Sequence, residues 1–148
     1  MYFAMNIARH ILIFALGVTA SWAHGGDAVA FDYSTGFGGI YYSSTPAGGA
    51  DYNEALDARG PALTMAKRNG AKAPVVIHQS NDTGYFCLAV GFNAAGRFVA
   101  CVGEGGSAVE AKSDAFRGLR AYGATSKPDV IHEYFSFGRE SKLSKPGK

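Results

Sequence analysis

No stretch of this sequence is apolar for the roughly 18 residues that a membrane-spanning helix needs. The familiar catalytic signatures are missing as well. There is no G-x-S-x-G elbow, no H-E-x-x-H pair, and no serine or cysteine with an identifiable base and orienting group. Neither charge dominates, since 14 Lys and Arg against 12 Asp and Glu leave a net +2. No basic stripe of the kind that nucleic-acid binders carry is visible, so no nucleic-acid partner is expected. Cysteine occurs only twice, which limits cross-linking to a single disulfide.

What is present begins with an export signal. Arg9 and His10 form a polar front, Ile11 to Val18 a short apolar segment, and Ser21-Trp22-Ala23 a small-x-small cleavage pattern. Residues 1–23 therefore read as a cleaved signal, with Met1 or Met5 as the start, and the mature chain begins at His24. A retained N-terminal anchor helix is the alternative. Periplasmic or secreted localisation follows. Removing 23 of 148 residues leaves one domain's worth of chain, read as a monomer over 24–137. The stretch 138–148, with Arg139, Lys142, Lys145 and Lys148 against Glu140, is a solvated, disordered basic tail.

The domain reads as an internal repeat. A hairpin pattern from Ala28 to Tyr42 recurs from Leu88 to Val102, with Gly36 matching Gly96. Helix starts at Asp51-Tyr52-Asn53-Glu54 and Ser107-Ala108-Val109-Glu110 place a capping oxygen three residues before a Glu. Strands ending Val75-Val76-Ile77-His78 and Asp129-Val130-Ile131-His132 close the two units, which span about 27–80 and 85–137. The first helix is interrupted by Gly60-Pro61 and is expected to kink or to split, with Pro61 starting the second piece. In the second helix Ala108, Ala111, Ala115, Leu119 and Tyr122 share one stripe. The expected fold class is α+β: two ββαβ repeats forming one largely antiparallel sheet with two amphipathic helices on one face.

Cys87 and Cys101 sit on opposite arms of the second hairpin. If Asn93 to Gly96 forms a type I turn with a glycine bulge, Asn93 pairs with Arg97 and the cysteines are diagonal neighbours; one residue of slip puts them opposite. A disulfide between them is the expectation for an exported chain. Two buried free thiols are the alternative, and the apolar run around Cys87 is poor ground for a thiolate.

The strand Ala28-Val29-Ala30-Phe31, the turn Ser34-Thr35-Gly36, the glycine-aromatic strand after it and a helix rich in small residues, all repeated from Leu88, resemble a family of small exported bacterial domains of unknown function. Its members show AIAY…G strands followed by A-x-x-A-A-L helices. The resemblance covers roughly Asp27 to Phe137 and implies export and a repeated α+β fold. It brings no catalytic residue. The chain departs from the family at Lys67 and Gly123, near the helix ends where that family often carries cysteine.

Candidate site residues come from the repeat. Alternation puts Val76, His78 and Ser80 on one strand face, and Val130, His132 and Tyr134 on the matching one. Together with Tyr41 and Tyr42 these form a candidate ligand or partner face on the side of the sheet that the helices leave open. His78 and His132 are also the one pair from which a metal site could be built, if a pseudo-dyad brings their strands together. Gly103-Glu104-Gly105-Gly106-Ser107-Ala108 matches G-x-G-x-x-A in form, but it follows a hairpin strand rather than opening a parallel β-α-β unit. No catalytic residue and no cofactor are assigned. The expected function is a non-enzymatic exported binding module for a protein partner in the envelope, for instance an immunity or inhibitor protein. A small envelope hydrolase or metal-binding protein using His78 and His132, and a surface antigen without a ligand, are the alternatives.

Overall fold

The computed structural model describes residues 26–45 and 57–138. Among these residues, six strands and two helices follow one another in two matching units. The first contains β1 (Asp27–Phe31), β2 (Gly38–Tyr42), α1 (Arg59–Arg68) and β3 (Val75–Ser80). The second contains β4 (Gly84–Phe92), β5 (Phe98–Gly105), α2 (Ala108–Ala121) and β6 (Asp129–Ser136). The α+β class and the twofold hairpin-helix-strand unit are as the sequence led one to expect. The single sheet is not: the strands form two antiparallel three-stranded sheets, ordered β2-β1-β3 and β5-β4-β6. In each, the hairpin's first strand lies in the middle and the helix carries the chain across it to the far edge.

The reason lies in the two faces of the central strands. On one face β1 presents Ala28 and Ala30, and β4 presents Cys87 and Ala89. These are small enough for a helix to lie close against them, and α1 and α2 do so. The other faces carry Val29 and Phe31, and Phe86, Leu88 and Val90, which pack together in one inner core with Ala100 and Tyr134. Burying each such large side chain is worth about 1.5–3 kcal/mol. Since each helix already covers a small-residue face, the large faces find cover only on each other. The helices therefore lie on opposite outsides of a sandwich, layered helix, sheet, sheet, helix.

Each helix approaches its sheet at a glycine. A Cβ on Gly39 would fall 2.3 Å from the Ala66 nitrogen and 2.5 Å from the Ala62 oxygen, and one on Gly103 2.1 Å from the Ala115 nitrogen and 2.2 Å from the Ala111 oxygen. Gly105 meets Glu110 and Ala111 in the same way. The glycines of the G-x-G-x-x-A stretch thus admit a helix, and Ser107 caps it, accepting from the Glu110 N–H at 3.2 Å. α1 begins at Arg59 with Pro61 in its first turn, as expected for the second helical piece. The expected cap at Asp51, the signal and the basic tail lie outside the described residues.

The hairpin turns also match. Gly36 and Gly96 both take the left-handed conformation, at φ 77° and 72°, which glycine adopts without steric cost. Each closing strand carries a register shift at the same place, so that His78 pairs with Val29 but Val76 with Ala30, and His132 pairs with Leu88 but Val130 with Ala89. These bulges break the simple alternation. Val76 and Val130 turn to the helix sides while both histidines turn to the inner side.

Candidate functional site

The central strand of the first unit starts with a buried carboxylate, Asp27, in the inner core. Tyr134 on β6 reaches across the sandwich and donates its hydroxyl to Asp27 Oδ2 at 2.8 Å. His78 on β3 sets Nε2 3.2 Å from the same oxygen and Nδ1 3.6 Å from Glu104 Oε1 on β5. The Phe86 ring lies between the His78 and Tyr134 rings, 5.4 Å from the first and 5.2 Å from the second. Burial and the Asp27 carboxylate drive the Tyr134 phenol far above its usual range. Burial raises the Glu104 carboxyl, an effect that His78 partly offsets and the carboxylates of Asp27, Asp82 and Asp114 reinforce. Among the buried side-chain atoms of the described residues, Asp27 Oδ1 has no hydrogen-bond partner, and the His78 Nε2 contact with Asp27 Oδ2 is an ion-pair approach rather than an aligned hydrogen bond. Glu104 is the open end of this tie, its side chain 48 % exposed.

His132 occupies the equivalent position in the second unit but has different company. Its ring lies 6.5 Å from that of Tyr42 and 6.0 Å from that of Tyr134, and the residue is exposed. The sandwich sets β3 over β5 and β2 over β6, so the two histidine strands run along opposite edges. Tyr42 and Tyr134 pack at 4.6 Å between their rings. Tyr41 points the other way, into the alanine cluster under α1. His78, Tyr42 and Tyr134 therefore lie in the seam between the sheets, with His132 exposed at its edge, and most of the side expected to be open is covered. No group of three or more His, Cys, Asp or Glu among the described residues is placed to hold a metal.

Cys87 and Cys101 are both free thiols, which corrects the expected disulfide. The hairpin has the diagonal register, with Cys87 opposite Gly103 and Cys101 opposite Ala89. Diagonal neighbours are about 7–8 Å apart, beyond the roughly 4.4–6.8 Å between the Cα atoms of a disulfide. Gly118 of α2 sits over the Cys101 sulfur, where a Cβ would fall 2.2 Å from it. Burial pushes both thiols up to about 11.

Two features were not singled out from the sequence. The first is Asp32, which accepts from the Ser34 N–H and hydroxyl and from the N–H groups of Lys72 and Ala73, at 2.6–2.9 Å. It ties the first turn to the loop after α1, and those bonds hold its carboxyl far below the usual range. The D-x-S turn pattern signalled only the local half of that role.

The second is the end of the sandwich where both hairpin turns and both helix C-termini meet. Phe31 contacts Phe98 across the sheets there, at 6.1 Å. Thr125, after α2, donates its N–H to the Phe92 oxygen. Tyr33, Phe37, Phe92 and Tyr122 are all exposed at this end. Phe92 leans on Phe98 at 4.7 Å, and the Tyr33 edge meets Phe31 at 5.2 Å. Burial pushes the Tyr33 phenol up to about 12, with Tyr122 and Cys101 adding to the shift. Lys67, Arg68, Lys72, Arg97, Arg120 and Lys127 belong to this end, against the buried Asp32 and the exposed Asp129. The opposite end holds Asp57, Asp82, Glu104, Glu110, Asp114 and Glu133. Two of these are paired with arginines, Asp57 with Arg59 and Asp114 with Arg117. Both helices end on basic residues, Lys67 and Arg68 on α1 and Arg120 on α2, which suits the helix dipoles, while α2 alone has an acidic residue, Glu110, in its first turn. Because α1 and α2 run in the same direction, the basic ends fall together.

Comparisons with protein-family models, with curated proteins and with solved structures return no match. Among the described residues no helix is long and apolar enough to cross a membrane.

Proposed function

We propose that this chain is an exported, non-enzymatic binding module that holds an anionic component of the envelope with the end formed by its two hairpin turns. The observation that carries the reading is the coincidence at that end of four exposed aromatic rings with six cations, while the inner sheet faces are used up in the core. Aromatic side chains and arginine are the residues enriched where proteins recognise partners. An immunity or inhibitor role is one form of this reading, with an acidic protein as the anionic component. The proposed kinship with the small exported repeat domains agrees with it.

The test is a photoreactive benzoylphenylalanine in place of Phe92, with the same residue in place of Val109 as a control. Val109 is 78 % exposed at the start of α2, at the opposite end. Irradiating intact producing cells is expected to yield an adduct from position 92 and none from position 109. The reverse pattern, or no adduct from either position, overturns the reading.

A hydrolytic reading has one observation in its favour, the half-exposed Glu104 beside His78 Nδ1. The nearest hydroxyl in that network, Tyr134, is buried and spent on Asp27. The tie is better explained as a polar link between the sheets.

A further inference from the structure

We propose that the turn end is a docking surface for an anionic lipid bilayer, so that the module sits peripherally on a membrane with its acidic end pointing away. The inference rests on the binding reading above and names the partner. Three observations point to lipid. The exposed rings of Phe37, Phe92 and Tyr122 sit at the strand and helix ends beside the hairpin turns, where interfacial aromatics meet headgroups, with Tyr33 packed beside them by its edge on Phe31. Cations on both helix C-termini and on the loops after them, Arg68, Lys72, Arg120 and Lys127, are exposed around those rings, where they meet lipid phosphates. Most of the described carboxylates lie at the other end, and only the buried Asp32 and the exposed Asp129 stand against the cations of the turn end, so that end is net positive towards a negative surface.

Single-stranded nucleic acid is the rival with similar chemistry. It needs open ring faces set along a charged groove. Here Phe92 leans on Phe98 and the Tyr33 edge meets Phe31, on an end made of turns.

Vesicle flotation tests the proposal, using phosphatidylcholine vesicles with and without one third phosphatidylglycerol. Binding is expected only to the anionic vesicles and is expected to be lost in half-molar salt, as screening requires. At about fivefold per cation, Arg68→Gln, Arg120→Gln and Lys127→Gln together are expected to weaken binding about 100-fold. Lys112→Gln at the opposite end is expected to leave it unchanged. Circular dichroism melts confirm that the variants are folded. In the mature chain from His24, which has no tryptophan of its own, Phe92→Trp is expected to be quenched by brominated acyl chains, and Val109→Trp is not. Failure of the wild-type protein to float with anionic vesicles at low salt overturns the proposal. So does equal binding to neutral vesicles, or an equal loss from Lys112→Gln. Retention of an oligonucleotide while vesicles are ignored assigns the end to nucleic acid instead. A protein adduct from position 92 without vesicle binding refutes the lipid inference and leaves the binding reading standing; no adduct and no vesicle binding refutes both.

Discussion

Asp32 is the residue on which the first unit's turn region depends most. Its carboxylate accepts four hydrogen bonds, two of them from backbone N–H groups about forty residues further along the chain. Hydrogen bonds to a charged acceptor are worth about 1.5–3 kcal/mol, and removing the acceptor leaves those donors unpaired. Asp32→Asn is therefore expected to destabilise the fold at neutral pH by about 2 kcal/mol, measured as a lower urea midpoint. The folded-state pKa lies below the ordinary 3.8, so the contribution is complete above that value and is lost as pH falls through and below it. The gap between wild type and Asp32→Asn should narrow as the urea midpoints are followed from pH 7 towards pH 3. A gap that stays constant sinks this account. The turn at Ser34-Thr35-Gly36 was readable in the sequence, but the part of Asp32 in it was not singled out, and the partners at Lys72 and Ala73 arrive only with the tertiary fold. The cysteines teach the complementary lesson. The sequence left the hairpin register open between diagonal and directly opposite cysteines, and it is the diagonal register of the fold that keeps the two thiols apart.

At the scale of elements, the glycine-alanine contacts set how closely each helix lies on its sheet. Ala62 and Ala66 on α1, and Ala111 and Ala115 on α2, are spaced by one turn and straddle Gly39 and Gly103 respectively. A methyl group at Gly103 would have to displace the backbone of α2, since the atoms it meets are a peptide nitrogen and a carbonyl oxygen. Overpacking of this kind costs about 3 kcal/mol or more. Gly103→Ala is expected to lower the thermal midpoint sharply, whereas Gly96→Ala meets nothing within 4 Å and is expected to cost only the strain of its left-handed backbone. Equal losses from the two substitutions refute the packing role. The alanine stripe of α2 was legible in sequence through its helical spacing, and its Ala111, Ala115 and Leu119 are all fully buried. The bulges in β3 and β6 were not. A register shift leaves every residue in place along the chain and changes only which face it takes, so strict alternation put Val76 with His78 and Val130 with His132, where the structure separates each pair.

At the scale of the whole molecule, each unit is half a protein. The inner face of the second unit, with Phe86, Leu88, Val90 and Tyr134, is covered by Val29, Phe31 and their neighbours from the first. A unit of this length is marginal by surface-to-volume arithmetic even with its core intact. Residues 84–138 expressed alone are expected to show no cooperative urea transition by far-UV circular dichroism, and a cooperative melt of that fragment as a monomer contradicts the shared core. The pairing also decides what is exposed. Because the two units put both helices in the same direction and both hairpin turns at one end, the basic last turns of both helices fall together at the aromatic end, where they suit the helix dipoles.

The sequence by itself determined the local units: two hairpins turning on Gly36 and Gly96, a helix capped by Ser107, a helical piece starting near Pro61, and the twofold recurrence of all of them. These follow from backbone chemistry and from short-range periodicity, which act within a few residues. Whether the two units would share a sheet or stack was decided only by the tertiary structure. The alternation of small and large residues on β1 and β4 allows a helix on one face but does not say what covers the other. The matching large faces closed that choice, and with it they turned His78, Tyr42 and Tyr134 from an expected open surface into a seam between sheets, leaving His132 exposed at its edge.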